Sequence, residues 1–369
     1  MKSLTTVMPT SLKSMQTKPR LDGLDLARFL ALVGMVIVNF SIVMGVGESG
    51  HGLAQAISTA LHGRAAALFV VLAGIGLGLS ARRGITQKFY RTQYKRALFL
   101  FCIGLLNMVV FDADILHYYA FYFAFGVLFI KWPSWGLVSM IALLIIGFLI
   151  MIISLNYDTG WNWQNYSYSG FWTPKGFIRN LFFNGWHPVI PWLSFLLWGM
   201  LLSRIELKNT RAQLWLLASH GLLYIFATGI SNWCIGVIGD PKSDLGILLS
   251  TKGILLSTNP VPPVPLYILS GGGSGGMIIA LCLLLAPTMK KIGILSWFTR
   301  PGRQALTLYV LHIYLGMGLI EILGLMGGQS GEAAVFASIM FSLFAIIYAA
   351  VWQKVFSRGP LEGLMRRLT

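Results

Sequence analysis

The run Leu24-Asp-Leu-Ala-Arg28-Phe-Leu-Ala-Leu-Val-Gly34-Met-Val-Ile-Val-Asn39-Phe-Ser-Ile-Val-Met-Gly-Val46 carries two charged residues in 23 positions. Wound as an α-helix it rises roughly 35 Å, enough to cross a bilayer core of about 30 Å. It is too long for a signal-peptide core and lacks a clear small-residue cleavage site, so it is expected to stay as a signal anchor. Nine further apolar runs follow, at 60–80, 97–112, 114–131, 136–154, 189–203, 212–236, 266–286, 304–324 and 333–353. Composition agrees: 56% of the 369 residues are hydrophobic and 11% are charged, against about a quarter charged in a soluble domain. Such a chain cannot clothe a globular surface in polar groups, and its hydrophobicity also excludes disorder.

No ten-residue alternating pattern appears, and only helices or closed barrels satisfy their backbone in lipid. The expected fold is therefore all-α, a polytopic bundle of about ten spans. Residues 1–23 read as an N-terminal tail, 24–353 as one transmembrane domain and 354–369 as a C-terminal tail. Cys102, Cys234 and Cys282 lie in or at the ends of apolar runs without metal-ligand spacing, and read as core thiols; no metal is expected.

The formal net charge of +16 is an orientation signal. With the N-terminus cytoplasmic, 22 of the 28 lysines and arginines fall on the inner side and four on the outer. That asymmetry sets both termini inside and removes the nucleic-acid reading a basic soluble protein would invite. Topology leaves Arg28 and Arg64 unexplained, since both fall within spans. Outside, residues 155–188 are dense in tryptophan and tyrosine, suited to headgroup depth or to lining a sugar or lipid site.

Ionisable residues inside spans are functional candidates. Asp25 and Arg28, three apart, share a helix face and can pair; alternatively Asp22 and Asp25 complement the helix dipole. His62-Gly-Arg64 opens the second span with an imidazole beside a permanent positive charge, which favours the neutral ring that a base or nucleophile needs. His51, His62, His117 and His187 fall on or near the outer side, with Asp112 and Asp114 beside His117, as an outward-facing acid/base cluster. His220 and His312 sit at equal depth within their spans. Gly74 and Gly78 form a helix-packing face. Gly271-Gly-Gly-Ser-Gly-Gly276, poor in helix propensity, reads as a broken helix of the kind transporters use or as a close-packing groove.

Several stretches together resemble the heparan-alpha-glucosaminide N-acetyltransferase-like transmembrane acyltransferases and their bacterial inner-membrane relatives of unknown function. These are Arg20-Leu-Asp-Gly-Leu-Asp25-Leu-Ala-Arg28 with Val38-Asn39-Phe40, His62-Gly-Arg-Ala-Ala-Ala-Leu-Phe-Val-Val-Leu-Ala-Gly74, Pro188-Val-Ile-Pro191-Trp192, Gly302-Arg303 through His312, and Gly359-Pro360-Leu-Glu362 to the C-terminus. The resemblance implies a bundle that takes acyl-CoA or acetyl-CoA as co-substrate from the cytoplasm and acylates a sugar or similar acceptor on the far side. It implies a catalytic histidine in the loop after the first helix, a place that His51, twelve residues after Asn39, roughly fits; His62 belongs to the bacterial relatives' own motif. Asn39 stands where the wider clan often has histidine.

On this reading His62 or His51 is general base or transient acyl acceptor, Arg64 stabilises developing negative charge, and Asp25 and Arg28 belong to the catalytic set. Arg82, Arg83, Arg91, Lys95 and Arg96 receive coenzyme A phosphates, and His312 is assigned to the same co-substrate. The alternative is a secondary transporter or exporter that uses the same residues as a substrate or proton path. Expected partners are the lipid bilayer, an extracytoplasmic small-molecule or glycan acceptor, and a second copy in a homo-oligomer.

Overall fold

The computed structural model describes residues 21–46, 52–164, 166–238 and 255–369. His51, and with it one candidate base, lies outside them. The helices are α1 (Asp22–Val43), α2 (Leu53–Leu61), α3 (Arg64–Ala81), α4 (Gln87–Asn107), α5 (Leu116–Leu128), α6 (Ser134–Ser154), α7 (Pro174–Arg179), α8 (Val189–Leu202), α9 (Thr210–Ile238), α10 (Pro265–Lys291), α11 (Leu295–Gly302), α12 (Ala305–Leu311), α13 (Gly318–Ile322), α14 (Gly331–Trp352) and α15 (Pro360–Leu368). Segments with π geometry follow α7 (Asn180–Asn184) and α12 (His312–Met317). A two-residue hairpin pairs Trp161 with Tyr168 and Asn162 with Ser167.

Seven helical stretches among the described residues are long and apolar enough to cross a membrane, eight if the bent pair Pro174–Asn184 and Val189–Leu202 counts as one span. The protein is an integral membrane helical bundle. All ten expected runs are helical in whole or part, but three do not qualify as independent spans: α4 carries Lys88, Arg91, Lys95 and Arg96 in its first half, α5 has only 13 residues, and α8 qualifies only together with the α7 segment as a bent pair.

Burial sorts the helices. α1 and α10 are each 67% buried over their apolar windows, whereas α6 is 22% and α9 17% buried. Residues such as Ile146, Ile150, Leu222, Ile225 and Phe226 are exposed on the outer helices, where lipid is their solvent. Because lipid tails are as apolar as leucine, the central contacts rely on close approach. A Cβ on Gly74 would overlap the Leu196 carbonyl, one on Gly199 the Val71 carbonyl, and one on Gly78 the Ser203 side chain, so the expected Gly74/Gly78 face is the α3–α8 contact.

The glycine run resolves in favour of close packing. α10 is continuous through Gly271–Gly276; a Cβ on Gly272 would press on the Trp198 ring, one on Gly273 on the α9 backbone at Tyr224, and one on Gly276 would overlap the His220 ring. Packing thus overrides the weak propensity. The break occurs elsewhere, at Gly185-Trp186-His187-Pro188, where the two halves of the bent span meet at 50°. Cys282 is buried, but Cys102 is exposed and Cys234 half-buried, because α4 and α9 lie at the bundle's periphery.

Candidate active site

Two ends of the bundle hold polar clusters. At the basic end, Asp25 is 1% exposed and accepts from Arg28 (2.5 Å) and from Arg303 Nε (3.1 Å), while Arg303 Nη2 reaches Asp22 at 3.1 Å. The expected Asp25–Arg28 pair is present, joined by a third partner from 278 residues away. Gly302 makes this possible: a Cβ there would overlap the Asp25 carbonyl oxygen, so only glycine lets α11 bring Arg303 against α1.

Arg28 faces a cavity of about 270 Å³, lined also by Ser80, Gln93, Arg96, Tyr119 and Met365. Of the five basic residues expected to receive phosphates, Arg96 alone lines it. Arg82 bonds to the Ser203 carbonyl and Lys95 Nζ to the Leu368 carbonyl at 3.1 Å. Arg83 and Arg91 are exposed. The C-terminal helix closes this end: Thr92 Oγ1 bonds to Thr369 O, and Glu362 accepts from the Leu306 and Thr307 amides and the Thr307 hydroxyl at 2.6–3.1 Å. Glu362 thus supplies acceptors for the free amides of α12's first turn. Burial pushes its carboxyl pKa up, with those hydrogen bonds pulling the other way.

At the opposite end, Gly63 (φ +70°) separates α2 from α3. A side chain there would overlap Pro260 and meet the Tyr267 hydroxyl, which donates to the Gly63 carbonyl at 3.0 Å. This turn sets His62, itself exposed, at the rim of a narrow cleft of about 40 Å³ lined also by Asn39, Ala66, Ala113, Trp186 and His187. Arg64 does not line it. Its Nη1 bonds to the Ala60 and Thr59 carbonyls at 3.2 and 3.4 Å, and its guanidinium lies 5.7 Å from the Tyr224 ring centre. Arg64 therefore satisfies the last carbonyls of α2, as a cation at a helix C-terminus does.

His187 comes from the break in the bent span and packs 4.6 Å from Trp192 and 5.9 Å from Tyr118. Tyr118 in turn contacts His117 at 3.8 Å, whose Nδ1 lies 3.8 Å from Asp114. Of the expected cluster, His62 and His187 line the cleft with His117 and Asp114 behind, Asp112 lines a neighbouring cavity, and His51 lies outside the described residues. Asp112 is exposed, and partial desolvation of its carboxyl raises its pKa.

His312 corrects an expectation. It is fully buried and does not line the cavity that Arg96 lines; its Nε2 lies 3.0 Å from Nδ2 of Asn39, a side chain that lines the cleft. It begins the π segment after α12, whose Tyr309 hydroxyl bonds to Asp114 at 3.1 Å; that anchor ties α12 to the outer cluster and fixes the ring against α1. His220 packs on Gly276 with Trp198 Nε1 donating to it at 3.1 Å. Among the described residues no three His, Cys, Asp or Glu side chains gather as a metal would need. Sequence reasoning missed Arg303, Gln93 and the role of Glu362; the Gly302-Arg303 and Gly359–Glu362 stretches were visible but gave no partner.

The chain was compared with known proteins. The family model described as heparan-alpha-glucosaminide N-acetyltransferase, catalytic, matches residues 20–233, which hold α1, the His62 turn, the bent span and the cavity-lining part of α4. A second model, described as protein of unknown function (DUF418), matches residues 264–369, which hold α10, Arg303, His312 and Glu362. No curated protein matches the chain. With more than half its length under the first model, the chain belongs to the heparan-alpha-glucosaminide N-acetyltransferase catalytic family of membrane acetyltransferases.

Proposed function

We propose that the protein is an acyltransferase of a bacterial inner membrane, its basic end in the cytoplasm, passing an acyl group from acyl-CoA to an acceptor on the far side. One observation carries this reading. The basic-end cavity and the outer cleft approach each other along α3, the first reaching Phe69 and the second Ala66. Three residues of helix rise about 4.5 Å, so the wall between them is about one turn thick. Leu116 and Ala113 repeat the arrangement on the opposite wall.

Acyl-CoA supplies an activated thioester. A 270 Å³ cavity with apolar walls and Arg28, Arg96 and Gln93 around it suits an acyl-pantetheine arm and is too small for the nucleotide. That part stays outside, where exposed Arg83 and Arg91 offer charge to its phosphates. At the outer end His62 acts as general base. Its imidazole takes the proton of the acceptor hydroxyl or amine as that atom attacks the acyl carbon. The new bond to the acceptor forms, the carbon–sulfur bond breaks, and the thiol leaves with a proton. His187, whose Nδ1 is buried without a hydrogen-bond partner among the described residues, passes protons onward. Arg64 acts at one remove, by fixing the turn that presents His62. His51 remains the alternative base.

Purified protein in nanodiscs, given acetyl-CoA and an acceptor, is expected to release coenzyme A thiol in an acceptor-dependent way, and His62→Ala to abolish it. Solute flux in proteoliposomes that needs no acyl-CoA, with no thiol released, would instead support the transporter.

A further inference from the structure

The outer aromatic loop encloses a cavity of about 360 Å³ that the proposed reaction does not use, walled by Trp161, Tyr168, Phe171, Trp172 and Trp186 with Asp112 and Asn180. Its volume is a ligand's; the chemistry of its walls says of which kind.

The rings meet at corners. Trp161 stands at 81° to Trp186 and at 83° to Tyr168, with 5.1 Å between centres in both pairs, and Phe171 stands at 89° to Trp172 at 5.0 Å. A flat ligand stacks on one wall of a corner, whereas a rounded group touches both. The corners are also fixed in advance. Trp161 Nε1 donates to the Asn184 carbonyl at 2.6 Å and Tyr168 OH to the Asn184 side chain at 2.9 Å, and Asn184, fully buried, donates to the Tyr157 and Thr159 carbonyls. An occupant therefore orders little on binding.

Charge narrows the choice. Aromatic faces are the negative side of the ring quadrupole and attract cations. Asp112, the one acid lining the cavity, is exposed and has no hydrogen bond or ion pair among the described residues. No lysine or arginine lines the cavity; Arg179 is held by the Tyr168 hydroxyl and ring. Rings and carboxylate thus ask for a positive charge that the protein does not supply. Hydrogen-bond acceptors are scarce, however. Asn180 spends its Oδ1 on Tyr118 and keeps its amide donors, and the Trp186 indole N–H is a donor without an acceptor. A primary ammonium brings three donors and needs as many acceptors. A cation without N–H groups needs none, and its methyl groups fill an aromatic corner.

We propose that this cavity binds a quaternary ammonium group, the trimethylammonium head of a choline-type solute or lipid, with the ring faces and Asp112 answering its charge and the amide and indole N–H groups free for an oxygen attached to it. A quaternary nitrogen has no proton to give up and accepts no acyl group, so the site stands apart from the transfer chemistry, and its failure would leave that reading untouched. The test is calorimetric titration of the protein in phosphatidylglycerol nanodiscs, with empty discs as blank, using choline and its neutral analogue in which carbon replaces the nitrogen. Choline is expected to bind saturably and the neutral analogue at least about tenfold more weakly. Asp112→Asn and Trp172→Ala, both at exposed side chains, should each weaken choline about tenfold with the melting temperature unchanged. Repeating the titration in phosphatidylcholine discs separates the sources: choline binding lost there assigns the site to the lipid headgroup, and binding retained assigns it to a free solute. Equal binding of choline and the neutral analogue, wild-type affinity in both variants, or no saturable choline binding in phosphatidylglycerol discs would overturn the proposal.

Discussion

The two ends of this bundle handle polar groups in opposite ways. At the basic end most of the charges are answered: Asp25 sits between Arg28 and Arg303, Arg82 and Lys95 hold backbone carbonyls, and Glu362 holds the start of α12, while Arg96 Nε on the cavity and Gln304 Oε1 have no hydrogen-bond partner among the described residues. At the outer end polar atoms are left over. Both nitrogens of His117, Nδ1 of His187 and the Trp186 indole N–H are buried with no hydrogen-bond partner among the described residues. Buried polar groups are nearly always satisfied by protein or ordered water, so these side chains have bonding capacity open to water or a ligand. On the proposed function, the first end holds the bundle and a charged co-substrate, and the second carries the reaction.

Substitutions can break that contrast. His62→Ala should have the largest effect, cutting transfer about 10²- to 10⁴-fold with little change in melting temperature, since the side chain is exposed; single-turnover transfer checks this. Asp25→Ala should act on the fold instead, leaving two guanidiniums without their shared carboxylate at a cost of about 3 kcal/mol, reduced by their partial exposure, and read as a lowered melting temperature in detergent. Arg96→Ala should raise the KM for acyl-CoA about tenfold, the loss of one charge-assisted contact worth about 1.5 kcal/mol, with folding intact. Glu362→Ala should cost about 1 kcal/mol, as lost helix caps do, and show as faster proteolysis of the C-terminal helix. Glu362→Gln should cost less, because burial already disfavours the charge. If His62→Ala unfolds the protein while Asp25→Ala leaves it stable and inactive, the roles of the two ends are reversed.

What could be read from sequence was local. Span class followed from run length; the Asp25–Arg28 pair and the Gly74/Gly78 face followed from spacing along one helix. The turn at His62-Gly63-Arg64 was visible as a motif, but not Arg64's attachment to the carbonyls of α2. The rest depends on contacts between distant segments. Arg303 meets Asp25 across 278 residues and His312 meets Asn39 across 273, and no periodicity reports either. The glycine run shows the limit in another way: propensity argued for a break, whereas Trp198 and His220 fill the space its missing side chains leave.

The central claim is that an acyl group crosses from the basic end to the His62 end. Sealed proteoliposomes of known orientation, given radiolabelled acetyl-CoA at the basic face and a sugar acceptor at the other, test it directly. The account predicts labelled, acylated sugar on the face opposite the acetyl-CoA with wild-type protein and none with His62→Ala; labelled product confined to the acetyl-CoA face, or formed equally by the variant, would contradict it.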